Sequence, residues 1–329
     1  MMSKQINISK ILAVALTALA VLFTGTGIAL GADWPTRRIS LIVPFSAGGG
    51  SDLYSRAIVS VTPNYIEEPM VVVLKPGGSG AIGSKFVADS RPDGHTLLFG
   101  FTDNMTVVWQ ARDVGYTKDS LKAIALFNST PVPINARADA PFKTFEEFVA
   151  YAKANPMEIK YASAGVWGYP HLPFEFMQKH LGIRLTHVPY QGGGPALQAI
   201  LKGEVMVNGS GMTQTLPHIK AGTLRCLAVM SDVRNPAVPD CPTTAELGYP
   251  EISFSAYRAV LAPKDTPPEV LAKLEELFVN VWNDKSWRRI INKYGDDLPK
   301  EQFLTGKKLE DYWAADVKKV GELLKELKQ

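Results

Sequence analysis

Short apolar runs alternate with amphipathic stretches along most of this chain. Ile39–Val43, Met70–Leu74 and Thr96–Phe101 are continuous apolar segments rich in branched residues, and they predict strands. Between them, Asp52–Val61 and Ala81–Ser90 have helical spacing. This β-α-β alternation predicts a largely parallel sheet with helices on both faces. A second set begins near Pro141. Thr144 followed three residues later by Glu147 is a capping box that opens an amphipathic helix. Lys160–Ser163, Thr186–Pro189 and Leu224–Met230 are its predicted strands, and His171–Leu181 and Ala196–Lys202 its helices. Glu269–Asn283 and Leu309–Lys328 predict two long C-terminal helices.

Two extended segments read as crossings between the sets: Ala123–Phe127 continuing to Pro133–Asn135, and Ile252–Leu261. A chain that leaves one domain and later returns makes two lobes joined by paired strands, a layout suited to a cleft that closes on a ligand. The expected lobes are residues 33–133 plus 254–329, and 134–253.

The first 32 residues have a different character. Lys4 and Lys10 precede the apolar stretch Ile11–Leu30, and Ala29-Leu30-Gly31-Ala32 ends it with small residues. This predicts a secretory signal peptide cleaved near Ala32, and a periplasmic location. The net charge of +3 gives no sign of a nucleic-acid partner. Cys226 and Cys241, the chain's two cysteines, can pair in an oxidising compartment or remain two buried thiols.

Five glycine or small-residue segments fall where a strand should hand over to a helix: Ser46–Asp52, Gly77–Gly83, Gly100–Asn104, Ser163–Gly168 and Gly192–Pro195. In open α/β sheets such turns hold ligands, and a glycine turn before a helix start presents backbone N–H groups to an anion. Gly48-Gly49-Gly50 lacks the G-x-G-x-x-G spacing of a dinucleotide site, since position 53 is Leu53, and no Lys-Ser/Thr follows to make a P-loop. Gly209-Ser210-Gly211 lacks the spacing of a nucleophile elbow. No metal-ligand spacing and no cofactor motif is present, so none is expected. His171, at the start of a helix after Gly168-Tyr169-Pro170, reads as ordering its loop or donating to a ligand more than as a general base.

With these segments collected, the chain resembles the receptors of tripartite tricarboxylate transporters, also called the Bug family. The resemblance runs from Trp34 to Leu327. It rests on Val43-Pro44-Phe45-Ser46-Ala47-Gly48-Gly49-Gly50-Ser51-Asp52, Lys75-Pro76-Gly77-Gly78-Ser79-Gly80, Pro92-Asp93-Gly94-His95, Val188-Pro189-Tyr190-Gln191-Gly192-Gly193-Gly194-Pro195-Ala196 and Pro242-Thr243-Thr244-Ala245-Glu246-Leu247-Gly248. It implies an α/β, two-lobed periplasmic binding protein of the type II-like Venus-flytrap kind. Each lobe would be a mostly parallel sheet flanked by helices, and two crossing strands would join them. It implies a monomeric, non-enzymatic receptor that captures an organic carboxylate, a di- or tricarboxylate or an aromatic acid, for membrane permease subunits. A periplasmic sensor serving a membrane kinase and, more remotely, a secreted hydrolase using His171 are the alternatives.

The resemblance further implies that two loops, one per lobe, pinch a carboxylate through backbone N–H groups. Here they are Phe45, Ser46, Ala47, Gly48, Gly49, Gly50, Ser51 and Asp52, and Ser163, Ala164, Gly165, Trp167, Gly168 and His171. Ser79, Thr102, Asn104 and Ser210 can add donors, and Tyr190 and Gly192 belong to a further glycine loop. Asp52, which would repel an anion, is expected to cap its helix and pair with Arg56. Departures from the family pattern are Met206 and Ser210 where acids are usual, bulky Trp167 and Tyr169, and Arg258 in place of a Trp-x-Gly pattern. Arg258 either meets a second negative group or points to solvent, and the aromatics either stack on an aromatic acid or pack against their own lobe.

Overall fold

The computed structural model describes residues 34–296 and 299–328; the expected signal peptide lies outside them. Strand β1 (Ile39–Val43) is flanked in parallel by β2 (Met70–Leu74) and β3 (Thr96–Phe101), and helices α1 (Gly50–Val59) and α2 (Ala81–Ala88) make the crossovers. Strand β4 runs seventeen residues, Leu121–Arg137. Helix α3 (Val108–Ala111) precedes it, and after it come α4 (Phe145–Ala154), β5 (Lys160–Ser163), α5 (His171–Leu181), β6 (Thr186–Pro189), α6 (Gly193–Lys202), β7 (Val207–Asn208), α7 (Met212–Lys220) and β8 (Leu224–Met230). The chain closes with β9 (Ser255–Pro263), α8 (Pro268–Asn283), α9 (Lys285–Lys293), β10 (Leu304–Thr305) and α10 (Gly306–Leu327).

The strand order is β2-β1-β3-β9-β4-β7-β5-β6, with β8 and β10 also pairing β4. Parallel pairs lie among β1–β3 and among β5–β7, where helices connect the strands. The crossing strands add antiparallel pairs: β9 against β3, and β4 against β9, β7, β8 and β10. The sheets are therefore mixed rather than mostly parallel. Strand β4 carries the chain out of the first set and β9 carries it back alongside, so the two run in opposite directions.

The lobes meet where β4 changes partners. Up to Pro131 it pairs with β9, and from Val132 it pairs with β8. Pro131 and Pro133 have no N–H to give to a ladder, and Val132 between them donates to the carbonyl of Phe254, on the returning crossing. One core lies on each side. Leu98, Leu126, Tyr257, Leu261 and Trp313 pack on one, and Ile134, Phe145, Phe148, Tyr161 and Phe174 on the other. Helix α10 contributes to both sides: Leu309 and Trp313 enter the first core, while Val320 and Leu324 pack with Leu172 of α5.

Helix α7 was not anticipated from the sequence. Pro217 sits inside it. Pro217 is its sixth residue, so the helix forgoes one backbone hydrogen bond there.

Cys226 on β8 and Cys241 are joined by a disulfide. Closing a loop of that length stabilises by about 3 kcal/mol in the chain-entropy account. Replacing both cysteines with alanine should lower the unfolding free energy by about that amount in a denaturant titration. An unchanged midpoint would show that the bond contributes nothing to the fold.

Candidate functional site

Between the lobes lies a cavity of about 470 Å³, mouth included. Residues at the starts of four helices border it. Gly49, Gly50 and Ser51 open α1, Pro170 precedes α5, Gly193 opens α6, and Gly211 precedes α7. None of the four capping positions supplies a side-chain hydrogen bond to its helix. The first N–H groups of a helix have no partner within it and carry the positive end of its dipole. The local sequence explains the exposure: glycine or proline stands where Ser, Thr or Asp would otherwise cap.

The cleft is shut by backbone contact. Ser46 donates to the Gln191 carbonyl with both its N–H, at 3.3 Å, and its hydroxyl, at 2.6 Å. The Ser79 hydroxyl donates to the Val166 carbonyl at 2.7 Å. Gln214 of α7 donates to the Gly48 carbonyl at 3.4 Å. At the tightest point, a Cβ on Gly194 would overlap the carbonyl oxygen of Ala47. Only glycine lets α6 approach the Ser46–Gly50 loop this closely.

Arg258 is the largest polar group in the wall. It lies on β9 opposite Phe101 of β3 and is 5 % exposed. Its guanidinium carbon sits 4.6 Å from the ring centre of Tyr54 and 5.0 Å from that of Phe101. Its Nε and Nη1 are buried without a hydrogen-bond partner among the described residues. Arg258 therefore faces the cavity and not solvent.

The expected site residues separate into groups. Phe45, Gly49, Gly50, Ser51, Ser163, Ala164, Ser210 and Arg258 line the central cavity. Ser46, Ala47, Gly48 and Gly192 make the contact that closes it. Ser79, Gly165 and Tyr190 line a separate opening of about 590 Å³ on the far side of Phe45. Thr102, Trp167 and Gly168 line a third, of about 490 Å³.

Three expected ligand groups are engaged within the protein. Asp52 accepts the Gly48 N–H and pairs with Arg56, each at 2.9 Å or less, so it organises the jaw. Asn104 is fully buried, accepting the Phe101 N–H and donating to Ser84. His171 accepts the Trp167 N–H at Nδ1, and its ring stacks 4.0 Å from His187. Burial lowers both imidazoles to a pKa of about 4, so they are neutral at pH 7. The serine–histidine contact present is Ser163 with His187, at 2.5 Å, and Ser163 also receives the Gly165 N–H. These contacts order the second jaw. Trp167 packs against its own protein, on Val107, Leu172 and Val320.

Reading the sequence missed Phe101, Gln214 and the α7 start at Gly211. Phe101 ends a predicted strand and falls in the segment Gly100–Asn104 without being named as a ligand group, and no helix is predicted at α7. The small-residue segment Asn208–Gly211 was the available signal.

A model of the tripartite tricarboxylate transporter family receptor matches residues 55–328. BugT of Bordetella pertussis is 32 % identical over 274 residues, covering 82 % of this chain and 83 % of the relative. The solved periplasmic binding protein BugD superposes with a TM-score of 0.83 at 29 % identity, over 89 % of this chain and 98 % of its own. MatC from Rhodopseudomonas palustris, solved with bound malate, gives 0.83 at 26 % identity, over 88 % and 100 %.

Asp103 sits behind the cavity wall, in the third opening, and accepts the Tyr169 N–H from the other lobe. Burial pushes its carboxyl up to about 7, against the pull of that N–H and of Arg258. Between pH about 4 and 7 the unfolded chain has released this proton while the folded chain keeps it. Stability from this group therefore falls as pH rises through that window. Asp103→Asn should match the parent at pH 4 and be the more stable at pH 8, by at most ~4 kcal/mol. A stability difference that does not change from pH 4 to 8 would show that Asp103 is ionised in the fold throughout.

Proposed function

The chain belongs to the tripartite tricarboxylate transporter receptor family, and we propose that it is an exported receptor that captures an organic carboxylate between its lobes and presents it to a membrane permease. The observation that carries this reading is the convergence of uncapped helix starts on a cavity whose described lining has no acidic side chain. Neutral N–H donors hold a carboxylate with charge-assisted bonds and without a fixed ion pair. The malate in MatC supports a carboxylate as the class of ligand. The basic start and apolar run of the first 32 residues support export.

The crossings at Ser129–Val132 and Phe254–Ser255 are the proposed hinge, with the lobes divided at residues 133 and 254. The backbone carbonyls of Gln191, Val166 and Gly48, which accept across the cleft, all belong to loops. Opening therefore breaks few bonds, and a ligand that contacts both lobes shifts the population toward closure.

A thermal-shift screen of organic acids against amino acids, sugars and divalent metals tests the ligand class. A true ligand adds RT ln(1 + [L]/Kd) to the unfolding free energy and so raises Tm. Shifts with amino acids or sugars and none with any carboxylate would sink the proposal.

Closure is tested separately by Gly194→Ala. The substitution suits a helix and leaves each lobe intact, yet its methyl group meets the Ala47 carbonyl in the closed form. The variant should keep the parent's ligand-free Tm and lose tenfold or more in affinity by calorimetry. Full affinity would place the binding conformation elsewhere.

A further inference from the structure

The donors of the site converge on one place, and that bears on the ligand's charge. A Cβ on Gly50 would lie 2.5 Å from Arg258 Nη2 and 3.6 Å from Gln214 Oε1. One on Gly193 would lie 2.8 Å from the same Gln214 oxygen, and one on Gly49 3.6 Å from the Gly193 nitrogen. The starts of α1 and α6, the α7 side chain Gln214 and the guanidinium of Arg258 therefore surround a single spot.

That spot holds the cavity's formal charge. Among the described lining residues only Arg258 is charged, and it forms no ion pair within 4 Å with any described carboxylate. Asp296 and Asp103 act on it only at longer range, and burial raises the pKa of both. A guanidinium taken out of water without a partner is costly to the fold. The tyrosine and phenylalanine faces beside it recover a part through cation–π attraction, but they leave Nε and Nη1 unbonded.

The rest of the cavity offers no second counter-charge. Phe101 stands edge-on to Phe45 at 6.0 Å and to Tyr169 at 5.2 Å. These rings, with Pro170 and three alanines, form an apolar wall. The other cations near the cleft lie outside it: Arg112 donates to the Gly78 carbonyl at the outer opening, and Lys319 lies in the third cavity.

Resting on the receptor reading above, we propose that the ligand is a compact monocarboxylate with an apolar, aromatic or branched body. Its carboxylate pairs with Arg258 at the junction of α1 and α6, and its body lies against Phe45, Phe101 and Tyr169. Arg258 is then the residue that sets specificity. A second carboxylate would have to be desolvated against aromatic rings with no cation to receive it.

Calorimetry with benzoate, isovalerate, malate, adipate and citrate on the full mature chain tests this. Benzoate or isovalerate should bind at least tenfold more tightly than the di- and tricarboxylates. Arg258→Met should weaken that binding a hundredfold or more while its ligand-free Tm stays level or rises, because an unpaired buried charge is removed. Arg258→Gln, which keeps a donor, is the second variant if the first fails to fold, and it should weaken binding tenfold or more. Phe101→Ala should weaken benzoate more than acetate. Tighter binding of malate, adipate or citrate than of either monocarboxylate overturns the proposal and leaves the receptor reading standing. Benzoate or isovalerate affinity unchanged in both Arg258 variants also overturns it. If no carboxylate binds at all, the receptor reading fails and this proposal falls with it.

Discussion

The structure turns on one close approach, between the Ala47 carbonyl on one lobe and Gly194 on the other. No residue with a Cβ fits there. That contact brings the start of α6 against the start of α1, and it lets Ser46 bond Gln191 across the cleft. The helix starts then face one enclosed space and not bulk water. Out of water, the same N–H groups attract an anion more strongly, because the local dielectric is lower. The approach of two glycine loops is therefore both the closing contact and the source of the site's positive potential.

The long strand β4 makes this approach possible. Its partner changes at Pro131–Val132, from β9 to β8, where the two sheets are joined. Each half keeps its own aromatic core, as the proposed hinge at this junction requires. Helix α10 packs on both halves, and the Lys179 ammonium reaches the Glu326 carbonyl near its end.

Within the closed space, polar groups fall into two kinds. Asp52, Asn104, Ser163 and His171 are spent on shaping the jaws, with their hydrogen bonds directed to backbone or to one another. Arg258 is the exception, since its Nε and Nη1 are buried without a hydrogen-bond partner among the described residues. Side chains that resemble ligand groups in the sequence can thus be framework, and the arginine on a crossing strand can be the ligand group.

The sequence alone determined the two sets of β-α units, the ranges of β1, β2, β3, β5, β6 and β8 and the glycine jaws, because periodicity and turn chemistry are local properties. It also held the Asp52–Arg56 pairing, one helical turn apart. Only the tertiary structure decided what those parts face. It placed α7 and Gln214 at the cavity, sent Asn104 into the core, and paired Cys226 with Cys241. It turned Arg258 inward between Tyr54 and Phe101. Each of these outcomes depends on residues far apart in the chain meeting in space, and no local pattern records which groups will be left without a partner when they meet.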